Sequence, residues 1–436
     1  MNDTVGPDIE WLNANFPEAV KWRRDLHRHP QPPWLEFYAT GYVAEKLSAW
    51  GYSVALGQDV ISADAQMLPP DPGKAEFEFE QAVKAGIKEE FIIPARGGFT
   101  GAVATMKGAH PGPVVAFRFD IDSNEVFESA AEHHRPAKEG FASEFQGYAH
   151  MCGHDAHAAM GLLLAKYFAE HQDQVQGTVK LIFQPNEENM SGAAAMADKG
   201  IVDDVDFMLG GHVGLNLKEL GNIAFNIHSF MALTRYEVSF TGRPSHAALR
   251  PNEGSNALQG ACMAVSNLFA IPRHGQGASR INVGRIEAGS AWNVIAEKSY
   301  FQLETRGVTN AVNQYMVEKA MAVIEGAAKM YGLAFDTKLA ATGLEGKGDQ
   351  ELIELGTRVA NSLPSVTKVW PEVGFDASED FTVFMERVQK RGGKAMFAIF
   401  GTPINGGHHN STFDIDERVI RNGVEFFTAL YKSLTR

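Results

Sequence analysis

Cys152 and His154 lie two positions apart across a glycine, in His150-Met151-Cys152-Gly153-His154-Asp155-Ala156-His157. A thiolate and an imidazole at that spacing can reach one metal ion or a pair of them. The same pair also suits a buried cysteine beside a loop histidine. A second cluster, Phe183-Gln184-Pro185-Asn186-Glu187-Glu188-Asn189, carries adjacent carboxylates. One of them can hold a metal while its neighbour polarises a water; alone, such a pair equally marks a solvated acidic loop. Gly211-His212-Val213-Gly214 and Gly407-His408-His409-Asn410 add imidazoles. A single histidine at a strand end is commonly a hydrogen-bonded structural residue. Jointly, one Cys, three or more His and a Glu pair suit a borderline-soft divalent metal pair.

The elements that must position these residues follow from periodicity. Ile9 to Leu26 reads as a helix, with Pro17 in the first turn of its main part, and Glu36 to Trp50 reads as a second helix ending at Gly51. Gln58 to Arg96 holds the breaker Pro69-Pro70-Asp71-Pro72-Gly73 and a polar segment, Ala75 to Glu90. It reads as an insertion bearing a solvated surface helix. Strand-like runs at Gly101 to Met106, Pro113 to Phe119, Thr178 to Phe183 and Asp206 to Gly210 then alternate with helices at Ala156 to Glu170 and Ala193 to Gly200. That alternation indicates α/β architecture with a mainly parallel, helix-covered sheet, whose strand ends are where ligands bind. The middle differs. Arg235 to Thr241, Ser255 to Phe269, Arg280 to Glu287, Glu297 to Thr305, Asn310 to Met330 and Leu333 to Leu339 run strand, helix, strand, strand, helix, strand. That is the ferredoxin-like α+β pattern. Strand–helix alternation resumes from about Asp349, so residues 226–342 are expected to interrupt one domain formed by 1–225 and 343–436.

Thirty-nine Lys and Arg against 53 Asp and Glu leave a net charge of -14, which repels phosphate backbones and anionic lipid and argues against nucleic acid as a partner. Two cysteines rule out a disulfide-stapled scaffold. Cys262 is expected in the core of its helix. No apolar run approaches the ~20 residues of a membrane span. Met1 to Asp8 is polar and acidic, unlike a leader, so a cytoplasmic protein without a membrane association is expected.

Arg23-Arg24-Asp25-Leu26-His27, Arg118-Phe119-Asp120-Ile121-Asp122, His150 to His157, Phe183 to Glu188, Ser378-Glu379-Asp380-Phe381 and His409 to Phe413 occur in that order. As a set they resemble the M20 metallopeptidases, in the amidohydrolase branch that carries Cys-Gly-His-Asp. The resemblance covers nearly the whole chain. It implies a catalytic domain like that of the zinc exopeptidases, interrupted by a smaller dimerisation domain. It implies two divalent metal ions per subunit, held by Cys152, His154, Glu188, His212 and His409, with Glu187 as general base. Other branches place a His-x-Asp where this chain has Arg118-Phe119-Asp120; a guanidinium cannot bind a cation, and His154 is the natural substitute. The Pro-Glu usual after the early His motif is Pro30-Gln31 here, and Gln31 receives no role. The resemblance further implies that His246, in Gly242-Arg243-Pro244-Ser245-His246-Ala247, reaches a neighbouring subunit's site to stabilise an oxyanion. It gives Asn293 and Arg306 the substrate carboxylate, which a guanidinium fork suits. The implied activity is hydrolysis of the amide of p-aminobenzoyl-glutamate; an N-acyl-amino-acid or dipeptide substrate and a non-catalytic assembly subunit are the alternatives. A thiolate ligand favours zinc and the resemblance favours manganese. The partner is an identical chain or a related B subunit.

Overall fold

The computed structural model describes residues 9–436. The stretch from Met1 to Asp8, read above as unlike a leader, lies outside the described residues. The chain begins with α1 (Ile9–Arg28), α2 (Phe37–Ala49), β1 (Ser53–Leu56), α3 (Pro72–Lys84), β2 (Ala102–Lys107) and β3 (His110–Asp120). It continues through α4 (Arg135–Glu139), α5 (His154–Glu170), β4 (Gln176–Gln184), α6 (Gly192–Asp198), β5 (Phe207–Val213), β6 (Asn222–Ala224) and β7 (Ile227–His228). The middle is β8 (Ala232–Thr241), α7 (Ala257–Phe269), β9 (Ser279–Ala288), β10 (Lys298–Gly307), α8 (Asn310–Tyr331) and β11 (Ala334–Gly343). Last come α9 (Gln350–Ala360), β12 (Lys368–Trp370), β13 (Val373–Gly374), α10 (Phe381–Lys390), β14 (Lys394–Phe400), β15 (Ile404–Asn405), β16 (Asp414–Ile415) and α11 (Arg418–Leu434).

These elements form two compact units. One comprises the chain up to His228 together with Gly346–Phe375 and Asp380–Arg436; the other comprises Ser229–Glu345 and Asp376–Glu379. The larger unit holds an eight-stranded sheet in the order β1-β2-β4-β3-β5-β14-β6-β12. Its four middle strands, β4, β3, β5 and β14, are mutually parallel, so their carboxyl ends open on one edge. Phe119 against Phe183 at 5.8 Å and Phe117 against Phe427 at 5.5 Å pack this sheet and bring α11 onto it. The smaller unit is an antiparallel sheet in the order β11-β8-β10-β9, with α7 and α8 packed on it through Val238, Phe240, Ala264, Phe301, Met316 and Ile324. Asn256 caps α7 and Thr309 caps α8 through their side chains.

Three expectations need correction. Pro17 lies inside α1, not in its first turn. The carbonyl it leaves without a donor belongs to Asn13, and both residues face solvent, so water can replace the missing bond. Cys262 is exposed: α7 buries Ala257, Gly260, Ala261, Ala264 and Leu268, and Cys262 falls on the opposite side. The helix of the insertion is packed, not merely solvated. Asp71 caps it with Pro72 as its first residue, so the breaker is a helix start. Ala75, Phe79 and Ala82 line its buried stripe, and the Phe79 ring meets Phe37 edge-on at 5.7 Å. Gln31 anchors it, donating from Nε2 to the Glu78 carbonyl (2.8 Å) and carboxylate (3.0 Å). Among the described residues no helix is long and apolar enough to cross a membrane.

This packing predicts that Phe79→Ala, at a site only 3% exposed, lowers unfolding stability by about 3 kcal/mol. Phe77→Ala, two positions away and 56% exposed, changes it by less than about 0.5 kcal/mol. Chemical denaturation of the two variants checks the contrast; equal effects would mean the insertion is not part of the core.

Candidate metal centre

The carboxyl edge of the parallel strands is where the chemistry-bearing side chains gather. Past the end of β3 stands Asp122, and past β4 the chain turns at Pro185-Asn186 into Glu187 and Glu188. Asn186 takes a left-handed φ of 56°, stabilised by its Nδ2 donating to Ser191 Oγ at 2.5 Å. Its backbone N–H donates to the buried Glu36 carboxylate at 2.8 Å, which also accepts from the Trp34 N–H and the Thr100 hydroxyl. His212 is the penultimate residue of β5. Cys152 and His154 flank Gly153, the residue before α5, at φ +95°; a β-carbon there would stand 2.7 Å from Val213, so only glycine makes this turn. His409 also has a left-handed φ, 58°, and its N–H donates to the Met151 carbonyl at 2.8 Å, tying the last loop to the Cys152 segment.

All five donors named from the sequence converge. Cys152 Sγ is 3.4 Å from His212 Nε2, and His409 Nε2 is 3.3 Å from Glu188 Oε2. His154 Nε2 stands 3.9 Å from Glu188 Oε1 and 3.9 Å from Glu187 Oε2. Two donors bound at 2.0–2.3 Å to one tetrahedral cation lie about 3.3–3.8 Å apart, so the spacing fits metal coordination. His154 Nε2 and Glu188 Oε1 are buried without a hydrogen-bond partner, an arrangement that is costly unless something between them takes both lone pairs. Cys152, Glu188 and His409 form one group of donors; Cys152, His212 and His408 form another; His154, Glu187 and Glu188 form a third. Asp120, His154 and His157, and Glu187, Glu379 and Asp380, form two more, so Cys152, His154, Glu187 and Glu188 each belong to two groups.

The surroundings fix how each donor points. Asp122 Oδ1 accepts from His154 Nδ1 at 3.0 Å, while its Oδ2 accepts from the Glu188 N–H at 2.9 Å. His212 Nδ1 donates to the Val213 carbonyl at 2.8 Å, leaving Nε2 as an acceptor. Burial, followed by the neighbouring His157 and His408, holds His212 far below the usual histidine range, in the neutral form that ligates metals. Burial and His409 likewise push His408 down to about 4. Burial and the Glu188 carboxylate raise the Cys152 thiol, an opposition that a nearby cation would reverse. Hydrogen bonds to Cys152 and Glu188 raise His409 to about 10.

Arg118, in place of a ligand, centres a fully buried lattice. Its Nε donates to Gln184 Oε1 at 2.8 Å, and its NH groups reach Asp120 at 2.6 Å and Asp380 at 3.1 Å. Asp120 in turn accepts from His157 Nδ1 at 2.5 Å. The Val213 N–H donates to His157 Nε2 at 3.0 Å, so both nitrogens of His157 are committed and it is not a free donor. Burial opposes the charge on Asp120, but Arg118, His154 and His157 hold its carboxyl well below the usual range.

The remaining residues named from the sequence lie in the smaller unit. His246 Nε2 and Asn293 Nδ2 are 3.5 Å apart on exposed loops, and His246 Nδ1 accepts from the Ala248 and Leu249 N–H groups. Arg306 is half-buried, with Nε on Glu304 Oε1 at 2.6 Å and NH1 3.5 Å from Ser378 Oγ. Sequence reasoning gave no role to His408, whose Nδ1 is 3.5 Å from Cys152 Sγ, although the doubled histidine was a signal. It also passed over Asp122, Glu36 and Asp380, of which only Asp122 and Asp380 sat in quoted motifs.

Residues 116–433 match the family described as Peptidase family M20/M25/M40. The chain is 40% identical over 417 residues to the A-type subunit of p-aminobenzoyl-glutamate hydrolase from Escherichia coli (strain K12), covering 95% of each. It is also 40% identical over 417 residues to the indole-3-acetyl-aspartic acid hydrolase of Enterobacter agglomerans, again covering 95% of each. It is similar to the crystal structure of the aminobenzoyl-glutamate utilization protein from Klebsiella pneumoniae, with 35% identity, a TM-score of 0.84 and 97% of both chains covered.

Because one Asp122 carboxylate orients both a histidine and a glutamate donor, Asp122→Asn is expected to weaken divalent metal affinity roughly 10- to 100-fold. Competition with a chelator measures this; unchanged affinity would mean that Asp122 does not orient the donors.

Proposed function

The chain belongs to peptidase family M20/M25/M40, a hydrolase acting on amide bonds, and we propose that it cleaves the amide between an aromatic acyl group and an acidic amino acid, foremost p-aminobenzoyl-glutamate. One observation carries the catalytic part: a further carboxylate, Glu187, stands beside the donors His154 and Glu188, and a purely structural metal site has no use for it. The 40%-identical relatives support the substrate class, since their names join an arylacyl group to glutamate in one case and to aspartate in the other. That pair also keeps indole-3-acetyl-aspartate as a second reading within the class. Simple N-acyl amino acids and dipeptides are the wider alternative.

In this reading Cys152, His154, Glu188, His212 and His409 hold two divalent ions, manganese or zinc, with His408 as a further donor. When bound, such a pair lowers the pKa of a water and polarises an amide carbonyl. Glu187 accepts the proton of the attacking water and delivers it to the departing amine nitrogen. His246, reaching the site of a neighbouring subunit, donates to the tetrahedral oxyanion; its hydrogen bonds to the Ala248 and Leu249 N–H groups hold the ring in place. Arg306 and Asn293 receive the substrate carboxylate, Arg306 through the edge of its guanidinium not committed to Glu304. A relative whose name makes it one subunit of a hydrolase supports a partner chain, an identical copy or a related B subunit.

The test is hydrolysis of p-aminobenzoyl-glutamate and indole-3-acetyl-aspartate by the purified, metal-reconstituted chain, alone and with a B-type partner. Glu187→Ala is expected to lower kcat by 10²- to 10⁴-fold while bound metal, measured by elemental analysis, stays at the wild-type level. Loss of metal together with activity would overturn the general-base assignment.

A further inference from the structure

We propose that Phe127 is the residue against which the aromatic acyl group of the substrate packs. This rests on the substrate class proposed above and deepens it by naming a specificity determinant. Between β3 and Cys152 the chain makes a long excursion that is fastened to the donor-bearing segments. Asn124 pairs with Ala149 through both backbone bonds, at 3.0 and 3.1 Å, and its Oδ1 accepts from the Met151 N–H at 3.0 Å. The side chain of Asn124 also hydrogen-bonds Glu188. Five residues later the Ser129 N–H donates to the Ser411 carbonyl at 2.9 Å, two positions past His409. Phe127 lies between these ties, three residues from Asn124, and three residues span at most about 10 Å.

Its immediate neighbour is fixed. Glu128 Oε1 accepts from His27 at 2.9 Å and from His134 at 2.7 Å, and its Oε2 accepts from the Ser143 N–H at 2.6 Å. Yet Phe127 itself is 76% exposed, more than Phe77, Ile93, Ile9 or Leu68 elsewhere in the same unit. Gly147, at φ +90°, lies beside the ring and brings no side chain to cover it. An apolar ring held out on a well-tied backbone loses little entropy on binding, which is the condition under which stacking adds to affinity. The charge of the segment fixes which end of the substrate it takes. Glu125 is paired with Lys74 Nζ at 3.2 Å, which leaves Glu132 exposed on the same excursion to disfavour an anionic amino-acid half there while an uncharged aryl group is not repelled.

The experiment compares wild type with Phe127→Ala on p-aminobenzoyl-glutamate, indole-3-acetyl-aspartate and N-acetyl-glutamate, with calorimetric binding of p-aminobenzoate to the metal-loaded protein beside it. Phe127→Ala is expected to raise KM for the arylacyl substrates about five- to tenfold with kcat little changed. KM for N-acetyl-glutamate should not move, p-aminobenzoate binding should weaken by the same factor, and Phe127→Tyr should restore both. Equal changes on aryl and acetyl substrates, no change at all, or a changed oligomeric state of Phe127→Ala in gel filtration overturns the proposal while leaving the substrate class intact. Wild-type protein that cleaves N-acetyl-glutamate alone and does not bind p-aminobenzoate overturns the substrate class, and Phe127 with it.

Discussion

The candidate centre depends on one carboxylate that would touch no substrate. Asp122 accepts from the His154 ring on one oxygen and from the Glu188 backbone on the other. Those residues come from different segments, the start of α5 and the turn after β4, and nothing local in either aims its side chain at the other. A shared acceptor converts two independent orientations into one. It also selects the His154 tautomer whose Nε2 faces inward. Buried polar groups are tolerated only when satisfied, so a loop that swung away from this geometry would strand Asp122 as well as its partners.

Beneath it, the Arg118 lattice does similar work for the strands. A guanidinium buried with Asp120, Asp380 and Gln184 has its donors engaged in a fixed planar fork. Removing Asp120 or Asp380 leaves a buried charge less compensated, a large penalty compared with what the intact network contributes to stability. Its value lies in geometry. It fixes the ends of β3 and β4 relative to the start of α10, and Asp380 also accepts from the Ala193 N–H, so the turn carrying Glu187 and Glu188 is bounded on both sides.

The sequence was most legible where periodicity is strict. The strand and helix runs of the smaller unit were read to within a few residues, β8 because its side chains alternate. The donors were legible as residue types at predicted strand ends. What stayed hidden depends on distance in the chain or on backbone shape. Arg118 and Asp380 are 262 positions apart, and no local pattern pairs them. The left-handed φ at His409 puts both it and His408 near Cys152, a doubling that spacing does not predict. The buried stripe of α3 was masked because Ala75, Phe79 and Ala82 are interleaved with glutamates. Cys262 misled for the complementary reason: an apolar helix suggests burial at every position, and only packing decides which face is covered.

That last residue has a practical side. The chain holds two thiols, one enclosed among imidazoles and a carboxylate with its proton held tightly, the other open to solvent on a helix of the smaller unit. A maleimide dye in modest excess therefore finds a single address, on α7, and leaves the donor set untouched. The wild-type sequence thus already provides a site for fluorescent labelling of the smaller unit without engineering a cysteine.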